Sequence, residues 1–218
     1  MFADRIDAGQ RLAASLQQFV ARRPCAPDDI VVLALPRGGV PVAWQVASTL
    51  HAPLDVFLVR KLGAPQQPEL AMGAIATGGV RVINNQVVQA LHVTPEQIST
   101  IAERETRELD RRQQVYRGDR PPLVVRDKCV LLIDDGIATG YTMRAAVAAL
   151  RQLHPREITV AVPVAARDTC DELKHEADAV VCLFTPLDFA AVGQWYRRFD
   201  QTTDDEVREL LRAASATP

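Results

Sequence analysis

Val130 to Thr142, reading Val-Leu-Leu-Ile-Asp-Asp-Gly-Ile-Ala-Thr-Gly-Tyr-Thr, limits the possible fold more than any other stretch of the chain. Four apolar residues end in an adjacent carboxylate pair, Asp134 and Asp135. A loop of small residues follows, then an alanine-rich run from Met143 to Leu150. That order reads as buried strand, tight loop and helix. Such a turn aims backbone N–H groups and the positive end of a helix dipole at one point, which suits an anion. Thr139 and Thr142 add hydroxyl donors. Two carboxylates before the loop cannot serve as phosphate ligands, because like charges repel. They suit hydrogen bonds from sugar hydroxyls, or a divalent metal. Phosphate, hydroxyls and metal together describe a phosphorylated sugar.

Other phosphate loops and nucleophile turns are excluded by inspection. A Walker A loop needs Lys and then Ser or Thr after its last glycine, and here Tyr141 follows Gly140. The glycine pattern of dinucleotide-binding turns is absent, and no serine sits in a G-x-S-x-G elbow.

The 218 residues suit a single domain, 1–218, able to bury a substantial core. A net charge of −2 gives no electrostatic footprint for nucleic acid, and no apolar run approaches the length of a membrane span. Asp4 stands where a signal peptide would be apolar, so a cytoplasmic protein is expected. Cys25, Cys129, Cys170 and Cys182 form no C-x-x-C pair and read as buried free thiols in a reducing compartment. His51, His92, His154 and His175 are scattered near expected helix ends and read as surface or capping residues rather than metal ligands.

Periodicity predicts an amphipathic helix over Ala8–Arg22, a buried strand over Ile30–Leu35 and a helix over Val40–Leu50. A strand over Leu54–Val59 ends at Arg60-Lys61, and a Pro- and Gln-rich loop spans Gly63–Pro68. Short strands follow over Ala71–Ala76 and Val80–Ile83. Thr94-Pro95-Glu96-Gln97 carries a capping box and opens a helix reaching Tyr116, with opposite charges four apart on its solvated face. Gly118–Pro122 is a linker. Later strands are expected over Ile158–Val164 and Ala179–Phe184, a short helix over Asp168–His175, and a last helix after the Thr203–Glu206 capping box. Strands alternating with helices give an α/β class: a doubly wound, mostly parallel sheet.

A second glycine turn, Pro36-Arg37-Gly38-Gly39-Val40, closes the first strand as the acid pair closes another. Ligands of open α/β sheets gather at the carboxyl ends of strands, so the two turns are candidates for one site.

The Asp134–Thr142 segment resembles the 5-phosphoribosyl-1-pyrophosphate (PRPP) signature of type I phosphoribosyltransferases. Arg60-Lys61-Leu-Gly63-Ala-Pro65 and Asp134–Met143 together look like the adenine phosphoribosyltransferase group. The resemblance implies the fold of that family, with a small hood from about 1–25 and 185–218. It implies that Gly136, Ile137, Ala138, Thr139, Gly140 and Thr142 hold the 5′-phosphate, and that Arg37, Gly38 and Gly39 hold pyrophosphate, often through a cis peptide. Arg60 and Lys61 read equally as pyrophosphate ligands or solvated charges. Asp134 and Asp135 would bind the ribose hydroxyls and Mg²⁺ and stabilise an oxocarbenium-like centre. Trp195, which clusters with Phe189 and Tyr196, reads as a base-stacking ring or as part of a small subdomain core.

Enzymes acting on 6-oxopurines carry an acid where Ala138 stands, and alanine transfers no proton, which argues against those acceptors. Glu69 is the candidate general acid or base in its place; the alternative is a surface acid. The expected function is Mg²⁺-dependent transfer of ribose 5-phosphate from PRPP to a nitrogenous acceptor, compatible with a homodimer and involving neither nucleic acid nor membrane. The competing expectation is a PRPP-sensing regulator with the same fold and no transfer activity.

Overall fold

The computed structural model describes residues 1–216, the side chains of Glu69 and Ala216 excepted. Helix α1 (Arg5–Val20) leads into β1 (Ile30–Ala34), α2 (Gly39–Leu50) and β2 (Leu54–Val56). Three strands follow, β3 (Val59–Ala64), β4 (Gln67–Ala76) and β5 (Val80–Ile83), then α3 (Asn85–Ala90) and α4 (Pro95–Arg117). The second half runs β6 (Cys129–Ile133), α5 (Tyr141–Arg151), β7 (Glu157–Val164), α6 (Arg167–Leu173), β8 (Ala179–Phe184) and α7 (Asp204–Ala216).

Five strands make a parallel sheet in the order β2-β1-β6-β7-β8. All five residues of β6 are buried, as a strand covered on both faces requires. Alternation along the strand sends Leu131 and Ile133 into one apolar cluster, with α1, α2 and α7, and Val130 and Leu132 into another, with α5 and α6. The chain turns one way from β1 to reach β2 and the other way to place β6. The β1/β6 boundary is therefore a topological switch point, with a crevice at its carboxyl end.

The expected strand over Leu54–Val59 divides in two. After Val56 the chain leaves the parallel sheet, and β3 pairs antiparallel with β4 in a separate three-stranded sheet, β3-β4-β5. The hinge is fastened by Leu58 N–H donating to Thr77 Oγ1 at 3.0 Å and Thr77 N–H donating to Leu58 O at 2.9 Å. The expected Gly63–Pro68 loop shrinks to a two-residue reversal between Ala64 and Gln67, because Pro65 presets the turn and its flanks continue the ladder. Both capping boxes form: Gln97 N–H donates to Thr94 Oγ1 at 3.3 Å, and Glu206 N–H donates to Thr203 Oγ1 at 3.1 Å. His51, His92 and His154 end helices or turns with φ of 52°, 50° and 55°.

The terminal segments meet as a hood. Phe2 N–H donates to Trp195 O at 2.7 Å and Arg197 N–H to Phe2 O at 2.9 Å, around a cluster of Phe2, Ala8, Val164 and Tyr196. Among the described residues no helix is long and apolar enough to cross a membrane.

The cysteine expectation is overturned in part. Cys25, just beyond α1, and Cys129, the first residue of β6, form a disulfide with Cα atoms 6.5 Å apart. Cys170 and Cys182 remain thiols. The pairing spans 104 residues, so local spacing carries no signal of it. With one pair oxidised, the thiols no longer argue for a reducing compartment. Closing so long a loop restricts the unfolded chain, and replacing both Cys25 and Cys129 by alanine is expected to lower stability by about 2–4 kcal/mol. Urea unfolding measures it; an unchanged midpoint at constant slope would contradict the assignment.

Candidate functional site

β1 and β6 deliver their loops to the same crevice. Leu35 N–H donates to Ile133 O at 2.9 Å, carrying the ladder one step past the strands. The Pro36–Arg37 peptide is cis, as the resemblance implied. Gly39 N–H donates to Leu35 O at 3.1 Å and Val40 N–H to Arg37 O at 3.1 Å, which starts α2 immediately. The two loops then touch where Gly38 and Gly39 lie against Ile133, Asp134 and Asp135. A Cβ on Gly38 would lie 2.0 Å from Asp135 Oδ2, and one on Gly39 would lie 2.8 Å from Ile133 O. No side chain fits there, so glycine is required for close approach rather than for an unusual backbone angle.

The loop after β6 is braced from below. Ile137 N–H donates to Val164 O at 2.9 Å, and Ala166 N–H to Ile137 O at 3.0 Å, bolting the loop to the end of β7. Thr169 Oγ1 donates to Ala138 O at 2.7 Å. Gly140, at φ 72°, turns the chain into α5. Ala138, Thr139, Tyr141 and Thr142 are exposed. Among the described residues, no acceptor takes the N–H groups of Ala138 to Met143, so these donors lie free at the positive end of the α5 dipole. The expectation for Ile137 is corrected in one respect: its N–H is spent on Val164, so it anchors the loop and does not present its amide.

The acid pair is set into the floor of this crevice. Asp135 N–H donates to Asp134 Oδ1 at 2.8 Å. Burial pushes both carboxyls upward, and the neighbouring Asp135 charge carries Asp134 well above the usual range. Arg5 opposes the rise at Asp135, its Nε 2.8 Å from Oδ2. Tyr196 OH donates to Asp135 O at 2.5 Å, and burial followed by the Asp135 charge keeps that phenol protonated.

The other expected residues are dispersed. Arg37 leaves the same turn, but its Nη1 is 3.5 Å from Asp204 Oδ1 at the start of α7, which also accepts from Tyr116 OH at 2.7 Å. Arg60 lies within β3 and directs Nη2 to Glu105 Oε2 of α4 at 2.5 Å, so its guanidinium is already paired. Burial alone would raise the Glu105 carboxyl; bonds from Arg60 and Arg104 hold it below its ordinary value. Lys61, next on β3, is exposed. Glu69 belongs to strand β4 rather than to a loop, and its side chain lies outside the described residues. Trp195 ends a single 3-10 turn and packs on the hood cluster with Phe189 and Val192; its buried Nε1–H has no partner among the described residues.

The profile of the family described as phosphoribosyl transferase domain matches residues 4–197. The chain belongs to that family. Proteins from two strains of Mycobacterium tuberculosis, whose names carry the words phosphoribosyl transferase, are 45% identical over 214 residues, covering 98% of this chain and 47% of theirs. The chain thus spans about half the length of those relatives. A Thermus thermophilus protein of known crystal structure is 41% identical with a TM-score of 0.86, covering 97% of both chains.

In this phosphoribosyl transferase domain, sequence reasoning missed Arg5, Thr169, Tyr196 and Asp204 as groups that fix the loops. Arg5 and Asp135 are 130 residues apart and share no motif. Gly38→Ala keeps an ordinary helical backbone (φ −59°, ψ −31°) yet drives a methyl into Asp135. Overpacking of this kind is expected to cost about 1–3 kcal/mol of stability. Chemical denaturation measures it, and a loss under about 0.5 kcal/mol, the range of a neutral surface change, would contradict the close approach.

Proposed function

We propose that the crevice binds PRPP and that the chain transfers its ribose 5-phosphate to a nitrogenous acceptor, releasing pyrophosphate. The observation that carries this reading is the set of unclaimed N–H groups from Ala138 to Met143 directly beside a carboxylate pair, Asp135 buried and Asp134 half-buried. A phosphate on the amides places the attached ribose over Asp134 and Asp135, whose oxygens accept from its hydroxyls. The Gly38–Gly39 turn lies against the acids, and it is the turn to which we assign the leaving pyrophosphate. Arg37 exchanges Asp204 for that group, and its planar fork suits phosphate.

The reaction is a displacement at the anomeric carbon. The acceptor nitrogen forms the new bond, the bond to pyrophosphate oxygen breaks, and the acceptor's proton passes to solvent or to a base such as Glu69. Positive charge on the ribose ring grows next to the carboxylates, which stabilise it electrostatically without a covalent intermediate. Ala138 offers no proton, so an acceptor needing one from this loop is excluded.

The donor set fits Mg²⁺. Among the described residues no cluster of three His, Cys, Asp or Glu side chains exists to cage a metal. A pair of carboxylates suits a cation that keeps waters and takes phosphate oxygens, with Asp134 and Asp135 as its protein ligands. When bound, Mg²⁺ supplies charge neutralisation to the leaving pyrophosphate.

Thr139→Ala and Thr142→Ala are each expected to weaken PRPP binding by about 1 kcal/mol, or more where the hydroxyl meets a charged oxygen. Calorimetry with PRPP and Mg²⁺ decides it, and unchanged affinity in the double variant would remove the loop from the site. Asp134→Asn with Asp135→Asn preserves size but not charge, and is expected to abolish pyrophosphate release in a screen of nucleobases and small amines. Retention of most of the wild-type rate would show that the carboxylates do not serve the reaction.

A further inference from the structure

We infer that Arg5 is the positioning residue of this site, acting through Asp135; the inference rests on the PRPP reading above. Arg5 is the first residue of α1, and its backbone is held in place on both sides. Asp4 caps the helix by accepting from Ile6 N–H and Asp7 N–H, both at 3.0 Å, and Ala3 N–H donates to Asp7 Oδ2 at 2.8 Å. From there the guanidinium reaches three partners at once. Nε donates to Asp135 Oδ2 at 2.8 Å, Nη1 donates to Asp200 O at 2.6 Å, and Cζ lies 4.0 Å over the Phe199 ring.

These contacts determine how Asp135 is presented. The Arg5 and Asp135 side chains are only 13% and 12% exposed, so the pair is largely shielded from water. Oδ2 is taken by Arg5, while no donor from another described residue reaches Oδ1. Tyr196 holds the backbone oxygen from the other side. Arg5 thereby leaves one oxygen of the carboxylate for a ligand hydroxyl and fixes its direction. The pair also lies against the opposite loop, since a Cβ on Gly38 would meet Asp135 Oδ2 at 2.0 Å and Arg5 Nε at 3.2 Å.

Arginine is suited to this task for a physical reason. Its planar fork donates in two directions while its face stacks on an aromatic ring, which an ammonium cannot reproduce. The same side chain therefore ties the 199–200 segment to the acid.

A double-mutant cycle tests the inference, with PRPP and Mg²⁺ as the probe in titration calorimetry on the full chain. Arg5→Gln is expected to weaken binding roughly tenfold, the scale of one charge-assisted hydrogen bond, and Asp135→Asn at least as much. If Arg5 acts through Asp135, Arg5→Gln in the Asp135→Asn background causes no further loss. Arg5→Lys retains the cation and the aliphatic stem and is expected to weaken binding nearly as much as Arg5→Gln. It carries the cycle if the glutamine variant does not fold. Losses that add, or wild-type affinity in Arg5→Lys, would overturn the positioning role while leaving the PRPP reading intact. Absence of PRPP binding in the wild-type protein would overturn both.

Discussion

Two adjacent carboxylates at the end of a fully buried strand are the constraint to which the rest of the site answers. Moving an ionised carboxylate out of water is costly unless charge and hydrogen bonds replace the lost hydration. Around Asp134 and Asp135 that replacement comes from Arg5 of the first helix and from the Asp135 amide of the turn itself, while Tyr196 of the hood holds the Asp135 backbone carbonyl in place. Each demands a feature of the fold. Arg5 reaches the acid because α1 runs along the sheet, and the disulfide at its far end fastens Cys25 to the amino end of the strand whose carboxyl end bears the acids. Tyr196 reaches it because Phe2 pairs with the 195–197 segment.

The compensation is incomplete, and this is where chemistry enters. Burial leaves both carboxyls above their ordinary range, and the Asp135 charge displaces Asp134 further still. A group that brings positive charge or hydroxyl donors to the pair relieves that penalty, so the site favours such a ligand before any catalytic step. The unclaimed amides at the head of α5 supply the opposite preference a few residues along the chain. One loop thus carries, side by side, amides suited to an anion and carboxylates suited to hydroxyls or a cation.

Much of this was legible in the sequence because it is local. The strand, acid pair, loop and helix from Cys129 to Arg151 follow from period and residue type. The glycine turn after Leu35 does too, as do both capping boxes. What escaped depends on contacts across the fold. The apolar run from Leu54 looks continuous, yet it serves two sheets, because Thr77, nineteen residues on, captures Leu58. Arg60 read equally as a pyrophosphate ligand or a solvated charge, and neither reading held the ion pair it makes with Glu105 of α4. Ile137 sits in the phosphate-loop string, but a parallel bridge to Ala165 uses its backbone. Arg5 carries no sequence signal, since a single arginine at a helix start has no pattern to distinguish it.

The most direct test of the central claim is amide NMR of the full chain titrated with PRPP and Mg²⁺. The account predicts that the largest shifts fall on the amides of Ala138 to Met143, with smaller shifts on Gly38, Gly39 and the Arg5 side chain. Ile137 should move little, because its N–H is already held by Val164. Saturable shifts confined to other surfaces, with the Ala138–Met143 amides unmoved, would contradict it.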